Sequence, residues 1–453
     1  MTTKTRTRTA SGRSSVAGWL SLGTLLLLLT AGWSAMVPLM GSPDEPSHVI
    51  RAAAVARGQW SGELGAAPTD LSRPGAGTIV LLPSDFAAAL ALPNCYAFQP
   101  DEPAACQQDV PPANGLQAAE TFAGQYPPLY YLLVGWPSLA MGAEASIYGM
   151  RLVSALLTAA LVTWGLFRLR STPSRSLLPW TAAVALTPMC LFLGGTVNPQ
   201  GLEIAAAFSF WAACLAVVSR PAGPTTSDLV HATVTGALLV NVRTSSPLWA
   251  AVIVAVALVL APAGRWSAIV RHRAARWVLA GASVASLCAV AWIALHGDVV
   301  STSNQFPQYG NLARAALAVA GQQHSYLVNM IGNFGWLDTP APVATTLAWI
   351  VAGGALLLAG FAVPAIRRPR AALVLVVLAT VGAPFVLQVP TAADTGLIWQ
   401  GRYALPLAVG VPLVAGFVLV GRGAAFDELW RRFTRLCLPL LLVGHVAAFL
   451  WTA

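Results

Sequence analysis

The chain has 453 residues, of which 56% are hydrophobic and only 9% are charged. Its mean hydropathy is +0.66, and so few polar residues cannot cover the surface of a water-soluble protein, which excludes soluble enzymes. The net charge of +9 comes from 26 basic and 17 acidic residues and would suggest nucleic acid in a soluble protein. Here it reflects arginine-rich loops at one membrane face, and no nucleic-acid partner is implied.

Apolar stretches of about twenty residues recur along the chain, and each could cross a bilayer as a helix. The sequence therefore predicts an all-α, polytopic transmembrane helical bundle with the lipid bilayer as its surroundings. Eleven spans are predicted, near residues 19–40, 147–167, 177–195, 201–219, 228–242, 247–263, 277–296, 343–364, 371–389, 404–421 and 436–452.

Arginine clusters set the predicted orientation of these spans. Residues 168–175, 265–276 and 367–370 each hold several arginines, and basic loops stay in the cytoplasm. The basic tail at residues 1–18 is accordingly predicted to be cytoplasmic, and the first apolar run is predicted to be an uncleaved span rather than a signal peptide. Residues 19–453 then form a single polytopic membrane domain.

Three longer loops follow on the predicted outer side, at residues 41–146, 297–342 and 390–403. They hold most of the polar residues outside the arginine clusters, so the active face is predicted to be extracytoplasmic. Within the first loop, the apolar segment Tyr126–Gly142 is interpreted as a juxtamembrane or partly inserted helix, since a further span would invert the arginine clusters. Cys95 and Cys106 could form a disulfide in an oxidising exterior.

Two adjacent carboxylates, Asp44 and Glu45, directly follow the first apolar run. Asp44 is suited to cap a helix that ends near Gly58, and this helix would place Glu45 and His48 on one face with Arg51 nearby. Capping explains only one acid, however. A carboxylate at an apolar interface could also accept a proton from a sugar hydroxyl or hold a divalent cation such as Mg²⁺ or Mn²⁺. Both interpretations stay open.

The motif at residues 400–403 contains Gln400, Arg402 and Tyr403 and lies at the outer end of a predicted helix. An arginine at this position could bind a lipid phosphate through two hydrogen bonds. Arg151 and Arg243 lie at similar predicted positions and could complete one basic pocket. Trp336 and Asp338 are further candidates for substrate binding, although an interfacial anchor and a helix cap explain them equally well.

Four segments of the chain resemble, in the same order, the signatures of domain-of-unknown-function family 2142 (DUF2142) of bacterial membrane proteins. They are SPDEPSHVIRAAAVARGQW, QYPPLYYLL, NFGWLDTPAP and QGRYALPLA, and the likeness extends over nearly the whole chain. That family in turn resembles the GT-C glycosyltransferases, multi-span enzymes that use polyprenyl-phosphate-linked sugars and keep an acidic residue in the first external loop.

The resemblance implies a GT-C-like bundle in a bacterial plasma membrane, with Asp44 or Glu45 as the acidic base or metal-associated residue. It also implies that Tyr126 shapes the element beside them. At Gln200 an acid would be expected from the family pattern, and Glu203 lies one helical turn beyond.

The predicted function is transfer of a sugar from a polyprenyl-phosphate carrier to an envelope glycan, lipid or protein on the outer face. The alternatives are a transporter or flippase of lipid-linked sugars and a non-catalytic envelope-assembly protein. Few acids lie in the middle of the predicted helices, which favours surface chemistry over a path through the membrane.

Overall fold

The computed structural model describes residues 8–64, 77–296, 305–363, 367–420 and 424–452. Parts of the predicted cytoplasmic tail, at residues 1–7, and of the first two predicted outer loops, at 65–76 and 297–304, lie outside the described residues. The described residues form twenty α-helices: α1 Arg8–Met36, α2 Glu45–Ala56, α3 Ser84–Ala89, α4 Leu129–Val134, α5 Ala143–Leu169, α6 Leu178–Ala185, α7 Pro188–Gly194, α8 Pro199–Ser219, α9 Thr226–Val240, α10 Ser246–Leu260, α11 Arg265–Val270, α12 Ala275–His296, α13 Leu312–Gly321, α14 Gln323–Ile331, α15 Val343–Ala362, α16 Arg367–Gln388, α17 Ala392–Thr395, α18 Leu405–Ala408, α19 Gly410–Val418 and α20 Ala424–Thr452.

Seven helical segments among the described residues are long and apolar enough to cross a membrane, so the polytopic helical fold is confirmed. They are Gly18–Met36, Ala143–Leu169, Pro199–Ser219, Ala275–His296, Val343–Ala362, Arg367–Thr395 and Gly401–Val418. An eighth would be the pair Pro173–Ala185 and Pro188–Gly194, which meet at 70°. The bend coincides with Pro188, whose ring disfavours helix in the preceding residue. The predicted count of eleven crossings is not confirmed, because α9 and α10 have only 15 residues each.

The first predicted outer loop contains β-structure, which the all-helical prediction for this loop did not include. Three strands, β1 Glu63–Leu64, β2 Thr78–Pro83 and β3 Leu116–Thr121, form an antiparallel sheet in that order. Between β2 and β3, Cys95 and Cys106 form a disulfide with their Cα atoms 6.0 Å apart. A second, two-stranded sheet is the hairpin of β4 Asn333–Phe334 and β5 Thr339–Pro340.

The segment Tyr126–Gly142 forms two short helices rather than a span. α4 has six residues, and the 3-10 turn Trp136–Leu139 has four. At a rise of about 1.5 Å per residue, neither can cross a hydrocarbon core. Both pack against α2, so this segment and α2 form one layer beside the ends of the long helices.

α8 is the central helix and is buried along nearly its whole length. It packs against α5, α7, α9, α10 and α18, and its apolar side chains leave almost none of its surface for lipid. The residues just before α8 hold the chain between α1 and α2. The Asn198 side-chain amide donates to the Pro43 carbonyl at 3.0 Å, and Ser42 Oγ donates to Thr196 Oγ1 at 3.1 Å. The most buried helix thereby fixes the position of Asp44.

Candidate active site

Asp44 immediately precedes α2, but its side chain does not cap that helix. Its backbone is left-handed, with φ 63° and ψ 3°, a conformation that aspartate adopts more readily than most residues. The carboxylate makes no capping hydrogen bond. Its Oδ2 instead accepts a hydrogen bond from Arg402 Nη2 at 2.7 Å, and the side chain is 57% exposed. The acid is therefore accessible while a guanidinium holds it in place.

The charges around Asp44 keep it ionised. Although the Asp44 side chain is partly exposed, many protein atoms lie around it, and this partial burial by itself would raise its pKa. The charge of Arg402 and its hydrogen bond, together with the charge of Arg243, outweigh burial and hold the pKa of Asp44 below its ordinary value of 3.8.

Arg402 is fixed by the residues on either side of it in the QGRY motif. Its side chain is only 2% exposed, and its Nε donates to Gln400 Oε1. A Cβ at Gly401 would collide with the Tyr326 carbonyl oxygen, so glycine allows this close approach to α14. Gln200, at the position where an acid was expected, donates to the Arg402 carbonyl at 2.9 Å. These contacts orient the guanidinium group of Arg402 toward Asp44.

Arg243 lies close to Arg402, and both guanidinium groups approach the ring of Tyr403. Both guanidinium carbons lie 5.1 Å from the centroid of the Tyr403 ring, and Arg243 is also 5.7 Å from the Tyr126 ring. Its Nη1 lies 3.4 Å from Oε2 of Glu203, whose Oε1 accepts from a serine hydroxyl at the start of α10. The structure thus brings Asp44, Tyr126, Arg243, Arg402 and Tyr403 together from distant parts of the chain.

His48 lies on the α2 side of this group and is neutral. Burial lowers the pKa of His48 to about 3, as do the charges of Arg243 and Arg402, although Asp44 raises it. Its Nδ1 is 2.9 Å from the Tyr131 hydroxyl, and its ring centroid is 5.7 Å from that of Tyr126. Tyr131 was not among the predicted site residues, although it belongs to the QYPPLYYLL motif.

Arg51 supports the site from behind. It is fully buried, and its Nη2 donates to the Tyr126 carbonyl at 3.2 Å. Its guanidinium also lies 5.7 Å from the centroid of the Tyr131 ring. With no accessible surface, Arg51 is placed to position Tyr126 rather than to touch a substrate.

Glu45, the second candidate acid, is enclosed in a buried ion pair. Its Oε1 and Oε2 accept from Arg151 Nε and Nη2 at 2.8 and 2.6 Å, and the Val197 amide donates to Oε1 at 2.9 Å. Both side chains are completely buried. Arg151 also donates to three carbonyls at the end of α1, those of Ser34, Val37 and Pro38. Two predictions are therefore corrected, since Glu45 faces no open space and Arg151 does not share a pocket with Arg243 and Arg402.

Trp336 and Asp338 belong to the β4–β5 hairpin, and both contact the disulfide loop. Asp338 Oδ2 accepts from the Phe98 amide at 2.9 Å, and Trp336 packs edge-on against the Phe98 ring at 5.5 Å. Asp338 does not cap α15, because that helix follows Pro342 and has no side-chain cap. These two residues form a second group rather than part of the one around Asp44.

A largely apolar cavity of about 570 Å³ lies between α14, α15, α16 and α19. Trp399 and Leu405 line it, on either side of the QGRY motif in the chain. Trp399 also packs edge-on against Tyr403, with the ring centroids 5.5 Å apart. The contact between Trp399 and Tyr403 therefore connects the cavity to Arg243 and Arg402.

The two acids predicted to hold a divalent cation do not fit one. Glu45 is saturated by Arg151, which leaves Asp44 as the accessible carboxylate of the pair. Among the residues that the structure describes, no three His, Cys, Asp or Glu side chains form a group that could hold a metal ion.

Comparisons with known proteins decide the family. Residues 27–411 match the family described as "Predicted membrane protein (DUF2142)". The chain belongs to DUF2142. The matched range contains every residue of the group around Asp44, and the family predicted from the four motifs is confirmed. No curated protein matches the chain.

The fold of this DUF2142 protein is similar to the crystal structure of ArnT from Cupriavidus metallidurans bound to undecaprenyl phosphate. The TM-score is 0.52 at 14% sequence identity, and the match covers 96% of this chain and 76% of the ArnT chain. At so low an identity the similarity establishes the fold alone. The predicted GT-C-like fold is confirmed.

Proposed function

We propose that this DUF2142 protein is a membrane glycosyltransferase. It transfers a sugar from a polyprenyl-phosphate carrier to an envelope acceptor at the outer face of a bacterial plasma membrane. The observation that carries the proposal is the accessible Asp44 carboxylate, held 2.7 Å from the buried guanidinium of Arg402. Sugar transfer from a phosphate needs a group that accepts a proton and cations that stabilise the departing phosphate.

Two observations support a polyprenyl-phosphate carrier: the positive charges near Tyr403 and the apolar cavity. Arg402 and Arg243 together offer two positive charges at Tyr403, where a phosphate can sit. The apolar cavity begins at Trp399, beside Tyr403, and suits an isoprenoid chain. ArnT, whose fold is similar, was crystallised with undecaprenyl phosphate, which supports a lipid carrier of the same class here.

The reaction proceeds by inversion. Asp44 accepts the proton of the acceptor hydroxyl, whose oxygen attacks the anomeric carbon from the side opposite the phosphate. The bond between the anomeric carbon and the phosphate oxygen breaks, and the lipid phosphate leaves with the electron pair toward Arg402 and Arg243. The incoming phosphate also competes with Asp44 for Arg402. Binding of the donor therefore weakens the ion pair and makes Asp44 a stronger base when the base is needed.

The neighbouring residues hold this arrangement in place. Neutral His48 holds the hydroxyl of Tyr131, and Arg51 holds the carbonyl of Tyr126. Glu45 and Arg151 fix the chain that carries Asp44. Glu203 keeps Arg243 at the Tyr403 ring. None of these roles requires direct contact with the sugar.

The test is transfer by purified protein in lipid nanodiscs supplied with an extract of polyprenyl-phosphate sugars. Loss of sugar from the carrier is followed by mass spectrometry for wild type, Asp44→Asn and Asp101→Asn. Asp101 is an exposed acid of the same loop and serves as the matched control. Turnover by wild type and Asp101→Asn but not by Asp44→Asn supports the proposal. Equal turnover by all three, or by none while all are folded, refutes it and favours transport or assembly.

A further inference from the structure

A second cavity, of about 550 Å³, lies beside the chain that leads to Asp44. Three parts of the protein meet there: the end of α1, the disulfide loop and the β4–β5 hairpin. The end of α20 closes it, with Trp451 in its wall. Cavities of this size accommodate small organic ligands or a few sugar units.

The disulfide loop is anchored to the end of α1, so the cavity is a built feature rather than a gap under a loose loop. The Tyr96 hydroxyl and the Gln107 amide both donate to the Leu39 carbonyl, at 2.9 and 2.8 Å. Asp338, also in the lining, accepts from the Phe98 amide and so joins the hairpin to the disulfide loop.

The lining of this cavity combines aromatic rings with polar groups and lacks cations. Tyr148 and Trp451 are 40% and 63% exposed and present ring surfaces, while Gln99 and Glu102 offer hydrogen-bonding groups. No lysine or arginine occurs among the described residues that line it. The guanidinium of Arg151 lies 5.8 Å from the Tyr148 ring centroid, but Glu45 neutralises it.

These features discriminate between ligand classes. A phosphate or another anionic headgroup would meet Glu102 and Asp338 without a compensating cation, which disfavours it. A purely apolar chain would leave the polar groups of the wall without partners. An uncharged saccharide satisfies both requirements, because its hydroxyls hydrogen-bond while its C–H face packs on aromatic rings.

The position of the cavity links it to the proposed reaction. Gly41 lines it, and Asp44 follows three residues later, a chain distance of at most about 11 Å. We propose that this cavity binds an uncharged saccharide and holds the glycan part of the acceptor. The acceptor role rests on the proposed function, whereas saccharide binding can be measured without it.

The test is a titration of the full-length protein in phosphatidylcholine nanodiscs with neutral hexasaccharides of mannose, galactose and arabinose. A hexamer of galacturonic acid serves as the charged comparison. Binding is detected by saturation-transfer NMR, and the Kd of each saccharide is determined from the titration. The variants are Trp451→Ala and Glu102→Gln, with Trp60→Ala and Asp101→Asn as matched controls. Both control residues are exposed and lie outside the cavity lining.

At least one neutral hexasaccharide is expected to bind, with Kd raised about tenfold by Trp451→Ala and about fivefold by Glu102→Gln. The two control variants are expected to bind as wild type, and galacturonate at least about tenfold more weakly. Absence of binding by all neutral probes, equal binding of galacturonate, or insensitivity to both cavity variants overturns the proposal. Displacement of every saccharide by short-chain phosphatidylethanolamine assigns the cavity to a lipid headgroup and also overturns it.

The two proposals fail separately in this design. The saccharide titration contains no sugar donor, so it measures binding independently of transfer. If saccharides bind in the titration but the wild type shows no transfer in the Asp44 assay, only the proposed function is refuted. Transfer without any effect of Trp451→Ala or Glu102→Gln on acceptor binding refutes the saccharide cavity alone.

Discussion

Replacing each of the two adjacent acids should affect different properties of the protein. Glu45→Gln keeps the shape of the side chain but leaves Arg151 without its counter-charge at a position with no exposed surface. Removing one partner of a buried ion pair costs about 3–5 kcal/mol. Asp44→Asn breaks a pair whose acid is 57% exposed, and the buried Arg402 keeps its hydrogen bond to Gln400, so the cost should be smaller, about 1–3 kcal/mol. Asparagine also tolerates the left-handed backbone at this position.

The assay is thermal unfolding of wild type, Asp44→Asn and Glu45→Gln in one detergent, beside their transfer rates. Glu45→Gln should melt at the lowest temperature of the three, and Asp44→Asn should keep more of the wild-type stability while losing transfer. The double variant Glu45→Gln/Arg151→Gln should lose less stability than the sum of the single variants, since neither charge remains buried alone. A Glu45→Gln protein that melts with wild type yet has no transfer activity would refute this reasoning and make Glu45 the functional acid.

Further outcomes follow from the same contacts. Arg402→Lys should lower kcat/KM for transfer roughly 10–100-fold, because lysine lacks the planar fork with which Arg402 holds Asp44 and would hold the lipid phosphate. An unchanged value would count against phosphate binding at Arg402. Since the pKa of Asp44 in the free protein lies below 3.8, its basic form is lost only as pH falls through that lowered value, so the pH profile of kcat/KM should show no Asp44 inflection between about pH 5 and 7. Because the pKa of His48 falls from 6.5 unfolded to about 3 folded, its contribution to stability is complete above pH 6.5 and lost as pH falls toward 3. The melting temperature of His48→Asn should therefore change less across that window, and parallel profiles would contradict the burial of a neutral ring. Cys95→Ser/Cys106→Ser opens a loop whose ends are 11 residues apart, costs about 2–3 kcal/mol and should speed proteolysis within it; equal cleavage rates would speak against the bridge.

The sequence was most informative where periodic and local signals decide the structure. Each of the eleven apolar runs overlaps a helix, and α2 ends at Ala56, two residues before Gly58, which has φ 81°. The number of crossings was less predictable. An apolar run does not reveal a break such as the one before Pro188, nor a helix shortened to 15 residues. The three-stranded sheet was missed because β2 and β3 are separated by 32 residues in the chain. No local sequence pattern reveals the register in which two such distant strands pair.

The site residues were found individually, but their partners could not be. Asp44 and Arg402 are 358 residues apart, and only the packing of α8, α14 and the QGRY motif brings them together. Residue types alone also gave no basis for separating Asp44 from Glu45. The left-handed backbone at Asp44 turns one acid toward Arg402, while helical geometry points the next toward Arg151.

The central claim is that Asp44 acts on the acceptor while Arg402 holds the lipid phosphate, and one paired measurement tests it most directly. The transfer rate and the Kd for polyprenyl phosphate are measured on wild type and Asp44→Asn in the same nanodiscs. The rate should fall by roughly 10²–10⁴-fold, the contribution of a general base. The Kd should stay equal or become lower, because Arg402 loses the carboxylate that competes with phosphate. A variant that transfers at the wild-type rate, or whose loss of rate is matched by an equal loss of lipid binding, would contradict the claim.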